Sequence, residues 1–288
     1  MPVLSSPLSS SREAGDGSWE TAPRSDDLLR PGEVLEELIG SGYRIIQSQR
    51  GYRYSLDAVL LAHFTASLPF PGTWALELGM GNGAASLLLA RRRAGLRIVG
   101  IELQEALASQ AQRSVLLNGL EGRISILVAD WRSTASLFPP DSFDLVLANP
   151  PYRAWGTGRL SPVKEVALAK HGPEGGLEDL LEAASHVLRP GAALALIYHA
   201  SALASVMVSL RRAHLEPKSC CLVHSYPESE AEFALVEARK GGRPGLKVLA
   251  PLILYSKGRT RPRSLSFDLE AIYASFQAGR VPTEGDPS

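Results

Sequence analysis

Residues 74–93 read "WALELGMGNGAASLLLARRR". A short apolar run leads into Gly79, Gly81 and Gly83, and a leucine- and alanine-rich helical segment starts at once. Glycines let the chain turn sharply and let a ligand come close to the backbone. The helix that follows aims its free amides back at the turn. The spacing is GxGxG behind an acid, Glu77. A dinucleotide site would be expected to show GxGxxG.

Working outward, the same strand-then-helix alternation repeats. "RIVGIEL", "RISILVAD", "FDLVLANPPY" and "AALALIYH" read as apolar strands. "QEALASQAQRSVLLNGL", "EDLLEAASHVLRPG" and "ALASVMVSLRRAH" read as helices, and "KSCCLVHS", "EFALVEAR" and "LKVLAPLILY" close the pattern as strands. Upstream, "YRIIQSQRGYRYSLDAVLLAHF" begins extended and turns helical, with Ser55 placed to cap the helix. Near-continuous apolar strands between amphipathic helices predict an α/β fold: a mostly parallel sheet with helices on both faces. In such sheets ligands sit at the carboxyl ends of the strands.

The 288 residues are 45% hydrophobic and 21% charged, enough for one sizeable core. Acids and bases balance at 30 each, so a polyanion partner would have to be met by local clusters. Cys220 and Cys221 are adjacent and show no zinc spacing, which reads as two buried thiols in a reducing cytosol. The first 30 residues are rich in Ser, Pro and Gly and read as a disordered extension, without a signal or transit pattern. Residues 31–256 read as the folded domain, and 257–288 as a basic tail with room for a short helix. No apolar stretch is long and charge-free enough to span a bilayer. No metal is expected, and the protein is expected in the cytoplasm.

Two more acids stand at strand ends. Glu102 ends the second core strand, where a carboxylate can accept both hydroxyls of a ribose. Asp130 ends the third, where it can accept from an exocyclic amine, with Trp131 beside it to cover a purine. Each alone reads equally as a solvated strand end or a helix cap; three acid-bearing strand ends in order do not.

The fourth strand leaves through "ANPPY", Ala148 to Tyr152. Pro150 and Pro151 fix their own φ and restrict the residue before each. Asn149 and the neighbouring carbonyls are thereby held outward. A planar NH2 offers two donors; the Asn149 side-chain oxygen and the Pro150 carbonyl can take one each. Tyr152 can stack on a planar acceptor.

Together these residues resemble the class I methyltransferases that use S-adenosylmethionine, over roughly residues 35–255. The resemblance implies a Rossmann-like, seven-stranded, mostly parallel sheet. It implies cofactor contacts from Gly79, Gly81, Gly83, Glu102 and Asp130, with Glu77, Leu103 and Trp131 beside them. NPPY resembles the amino methyltransferases of adenine, guanine or glutamine amines and implies catalytic roles for Asn149, Pro150, Pro151 and Tyr152. "QRGYRYSLDAVLLA", "SPVKEVALAKHGPEGGLEDLLEAA" and "EFALVEARKGGRPGLKVLAPLILY" resemble the bacterial tRNA1(Val) adenine-N6 methyltransferases, with Asp57 as a matching acid over the cofactor. That likeness implies tRNA as partner. Lys170, His171 and Gly172 stand where that family carries an arginine-rich, acid-containing element.

Other readings stay open: a release-factor glutamine enzyme, an rRNA guanine-N2 enzyme, or a cofactor-binding scaffold without catalysis. Candidate RNA contacts are Arg91 to Arg93, Arg50 with Arg53, Arg153 with Arg159, Lys164 with Lys170, and Lys257, Arg259, Arg261 and Arg263. Arg239 and Lys240 read as solvated at a strand end. His171, His199 and His224 read as structural. Trp155, in "RAWGTGRL", reads as a base-stacking or packing residue.

Overall fold

A computed structural model describes residues 25–150, 153–154, 171–172, 176–257 and 264–277. A hairpin opens it: β1 (Glu33–Glu37) and β2 (Arg44–Ser48) pair antiparallel. The sequence reading missed β1, because "EVLEE" carries acids at three of its five positions. Then come α1 (Leu56–Ser67), β3 (Trp74–Leu78), α2 (Ala84–Arg92), β4 (Arg97–Glu102), α3 (Glu105–Leu117), β5 (Ile124–Val128) and the single turn α4 (Thr134–Leu137). β6 (Phe143–Ala148) follows, then the two-residue pair β7 (Arg153–Ala154) and β8 (His171–Gly172). The chain continues through α5 (Gly176–Val187), β9 (Leu188–His199), α6 (Leu203–Arg212), β10 (Leu215–His224) and β11 (Ala231–Lys240). It finishes with β12 (Lys247–Val248), β13 (Leu252–Ile253), β14 (Tyr255–Lys257), β15 (Ser264–Leu265) and α7 (Phe267–Gln277).

The main sheet runs β12-β10-β11-β9-β6-β3-β4-β5, with β13 also on β10. It has nine strands where seven were expected. Seven long strands form the body, and only β11 runs against its neighbours. The two extra strands lie parallel on the outer edge of β10. "LKVLAPLILY" was read as one strand, but Pro251 has no N–H to give the ladder, so β12 and β13 form as separate pieces. Together they cover an edge that would otherwise be exposed. The helix expected to stop at Pro190-Gly191 ends at Val187, and β9 begins at Leu188.

Apolar side chains alternate across the sheet into two cores, as period-two strands require. One core takes Ala75, Leu145, Leu147, Ala195, Ile197 and Leu235 with α1, α2 and α7. The other takes Leu76, Leu78, Val146, Leu194, Leu196 and Val236 with α5 and α6. Phe276 of α7 is fully buried, so part of the segment expected as a tail contributes core. Cys220 and Cys221 are buried free thiols. Among the described residues no helix is long and apolar enough to cross a membrane.

The arginines after the glycine-loop helix are built into the fold. Arg91 lies over Tyr43, Arg92 over Phe276 and Arg93 over Phe70, with guanidinium-to-centroid distances of 5.4, 5.6 and 4.8 Å. Arg93 also donates to the carbonyls of Ala66 and Leu68. Arg53 pairs with Glu36, and Arg239 with Glu237. Charges tied down in this way are poorly placed to meet phosphates.

Candidate active site

The glycine loop leaves β3 with Gly79, Gly81 and Gly83 at φ of 72°, 58° and 86°. A side chain is strained in that region, which is why the loop needs glycine. The N–H groups of Gly79 and Met80 both donate to the Ile101 carbonyl at the end of β4 (2.9 and 3.0 Å). Met80 folds its side chain back over β4 at Gly100, where a Cβ would lie 2.0 Å from the Met80 sulfur. Gly100, unremarked in the sequence, is thus a notch for the loop.

Three carboxylates converge here. Glu102 accepts from Gly81 N–H through Oε2 and from Gln104 N–H through Oε1, both at 2.8 Å. Burial raises its pKa. Glu77 is buried in β3 and accepts from the Ser86 hydroxyl on α2, so it ties the strand to the helix across the loop. Asp57 is buried at the start of α1, where it accepts from the Ser55 hydroxyl and from Ala58 N–H. Ser55 holds the N-cap position, but its side chain serves Asp57 and makes no cap bond of its own. The sequence alone could not say that these acids, 45 positions apart at the extremes, surround one ring. That ring is Tyr52: a Cβ on Gly81 would lie 3.2 Å from it. Burial and then the charges of Asp57, Glu102 and Glu77 push its hydroxyl pKa far up. Sequence reading missed Tyr52, although "GYRYSLD" puts two tyrosines just ahead of the acid.

The hairpin braces this corner. Gln47 of β2 donates to Glu36 at 2.7 Å and accepts from Asn82 of the loop at 3.4 Å. Arg113 of α3 grips Glu33 of β1 with two bonds, at 2.5 and 2.7 Å.

At the next strand end, Leu103 is 51% exposed, beside the buried Glu102. Asp130 is held by Arg132 through its backbone and its guanidinium, at 2.6 Å for the closest pair. That cation keeps the Asp130 carboxyl below the usual carboxylate range. Trp131 is buried under the loop, 3.2 Å from where a Cβ on Gly79 would sit. Its indole N–H finds no hydrogen-bond partner among the described residues.

β6 pairs with β3 so that Ala148 faces Leu78. Asn149 therefore leaves the sheet beside Gly79, about 5 Å across the strand spacing. Asn149 is half-buried and Pro150 is buried. Pro151 and Tyr152 lie outside the described residues. Strand exits, glycine loop and acids thus share one edge of the sheet, at the point where strand order reverses between β3 and β6.

Residues 75–162 match the family described as a methyltransferase domain. Over these residues the chain resembles a methyltransferase domain, and its fold is that of methyltransferases of known structure. A tRNA1(Val) (adenine(37)-N6)-methyltransferase of Porphyromonas gingivalis is 28% identical over 201 residues, 68% of this chain and 78% of the relative. An enzyme of the same name from Aeromonas hydrophila is 32% identical over 137 residues, 44% of this chain and 55% of the relative. A crystal structure described as a predicted O-methyltransferase from Agrobacterium tumefaciens superposes with a TM-score of 0.61 at 24% identity, covering 76% of this chain and 96% of that one. The T. thermophilus 16S rRNA N2 G1207 methyltransferase, solved with AdoMet and guanosine, gives a TM-score of 0.50 at 19% identity, covering 72% of this chain and 50% of that one. These structural likenesses show a shared fold.

The residues present fit a nucleoside-bearing methyl donor. Gly79, Gly81 and Gly83 form a turn that only glycine adopts without strain and that lets a ligand come close to the backbone, with the acceptor oxygens of Glu102 beside it.

Glu77 gives the protein a testable pH signature. Burial pushes its pKa up to about 8 from 4.5, so the folded state holds a proton that the unfolded state gives up above pH 4.5. Stability contributed by this group is full below pH 4.5 and is lost as pH rises toward 8. Glu77→Gln keeps the neutral shape and removes that slope. Chemical-denaturation midpoints of the wild type should therefore fall relative to Glu77→Gln between pH 5 and 8. Parallel pH curves would place the Glu77 carboxyl in water.

Proposed function

We propose that this methyltransferase modifies N6 of an adenine in tRNA, at the nucleotide just 3′ of the anticodon. The observation that carries the reading is the likeness to enzymes named for that reaction, spanning 78% of the Porphyromonas gingivalis protein. The geometry supports it: Asn149 and Pro150 emerge beside the glycine loop. In this reading Glu102 accepts from the ribose hydroxyls, and Asp130 and Leu103 border the adenine, with Trp131 beneath. Glu77, Gly79, Gly81 and Gly83 shape the turn under the methionine part, and Asp57 closes it from α1 together with Tyr52. S-adenosylmethionine supplies an electrophilic methyl carbon on a positively charged sulfur. Asn149 and the Pro150 carbonyl accept the two N–H bonds of the target amine and aim its lone pair. Tyr152 stacks on the base, and Pro151 stiffens the exit. The proton leaves after transfer, so no strong base is needed.

The phosphates would be met by cations other than Arg91 to Arg93. Arg50 is exposed. Arg159, Lys164, Lys170, Arg259, Arg261 and Arg263, and Trp155, lie outside the described residues, as do the side chains of Arg153, His171 and Lys257. A tRNA substrate would set this work in the cytoplasm.

Labelled S-adenosylmethionine, offered with separate pools of tRNA, rRNA, DNA and protein, tests the reading. Label should enter tRNA and appear as N6-methyladenosine after digestion. Label in a protein glutamine, or in an rRNA guanine, would replace this assignment by one of the alternatives. Tight cofactor binding with no transfer to any pool would make the protein a scaffold.

A further inference from the structure

His199 was read from sequence as structural, yet it stands at the rim of the sheet, outside the fully buried core. It ends β9, and its Cα partner across the antiparallel ladder is Phe233 near the start of β11. The two rings stack, with centroids 5.2 Å apart and planes 22° apart. His199 Nδ1 lies 3.3 Å from the Glu232 carbonyl, which ties the ring edge-on to the backbone. Both rings are half-buried.

Strand alternation relates this pair to the acceptor exit. Leu145 and Leu147 of β6 face the first core, and Asn149 is two residues further on. Ala195 and Ile197 of β9 face the same core, and His199 is two residues further on. Leu235 of β11 faces it too, and Phe233 packs against it. Asn149, His199 and Phe233 therefore share one face of the sheet. The register sets Ala148 opposite Leu196, so Asn149 lies opposite Ile197. One strand spacing and two residue rises put the Asn149 and His199 Cα atoms roughly 8 Å apart. Phe233 lies one strand further. That is the reach of a neighbouring nucleotide in a splayed single strand. Inner positions of these strands are filled by Ile197, Leu235 and Val236, so packing alone has no need of a histidine here.

We propose that the stacked His199 and Phe233 rings form a platform for the base next to the target adenine in a single-stranded RNA loop. The proposal rests on the RNA reading above. Aromatic faces hold a base without reading its identity, and they act on acceptor affinity rather than on the chemistry. His199 and Phe233 are positioning residues in this scheme.

The experiment uses the full chain and the tRNA pool, with KM, kcat and cofactor Kd measured for His199→Ala, Phe233→Ala, His199→Tyr and Phe233→Tyr. Each alanine variant should raise the KM for RNA roughly tenfold with little change in kcat or cofactor affinity. The tyrosine variants should keep KM near the wild-type value. The salt dependence of RNA binding should be the same in all five proteins, because no phosphate contact is lost. Unchanged KM in both alanine variants overturns the platform. So does a rise in KM in the tyrosine variants equal to that in the alanine ones, or a matching loss of cofactor affinity, since either points to packing. A wild type that methylates protein and no RNA overturns the RNA reading itself, a different result from an active RNA enzyme with indifferent variants.

Discussion

Asn149→Ala should cut turnover by roughly 10²–10³ and leave S-adenosylmethionine affinity nearly unchanged, as for loss of one preorganised polar contact. The residue stands one position beyond β6, beside Gly79 and ahead of the buried Pro150. Its work would begin when positive charge grows on the acceptor nitrogen and the N–H bonds polarise. Single-turnover kinetics with saturating RNA would measure the loss directly. Full activity in this variant would remove the planar-amine mechanism, and with it the case for adenine.

Glu102→Ala should weaken S-adenosylmethionine by about a hundredfold, read by calorimetry. A carboxylate has about four acceptor sites. Gly81 and Gln104 take one each, the Leu103 N–H also acts on the carboxylate, and the remaining capacity would meet the ribose hydroxyls. Each charge-assisted bond is worth on the order of 1.5–3 kcal/mol. The alanine variant loses those contacts and also unties the Gly81 amide, so turn and ligand both suffer. Glu102→Gln should fare almost as badly. An amide has one oxygen, and its NH2 would point at one of the two backbone N–H donors. A Glu102→Gln protein of wild-type affinity would mean that two-sided acceptance plays no part.

Much of this was legible beforehand, for identifiable reasons. The glycine loop announced itself because Gly79, Gly81 and Gly83 adopt φ values that other residues avoid. Glu102 and Asn149 could be placed because each follows a near-unbroken apolar run. Asp130 was placed too, but nothing in the strand pattern reveals that Arg132 saturates it. That contact is local and depends on side-chain angles. Tyr52, Gly100 and the His199–Phe233 stack were hidden for another reason. Each owes its meaning to a partner that is distant in sequence: Gly81, Met80 and the facing strand. The last run became two short strands instead of one because Pro251 broke a stretch that composition presents as continuous. Arg91 to Arg93 balanced a helix-end reading against an RNA reading, and only the positions of Tyr43, Phe276 and Phe70 decide between them.

The seat of α7 carries a consequence for how the molecule is made. Ser275 receives a hydrogen bond from Arg92, 183 positions upstream, and Phe276 plugs the core between α1 and α2. On the ribosome, α2 emerges long before the helix that seals it. Until about residue 276 is free of the exit tunnel, the apolar slot beside Arg92 stays open to water and to other chains. Closure of this half of the protein therefore waits for α7. A nascent chain stalled before Phe267 is the species that a holding chaperone would have to shield.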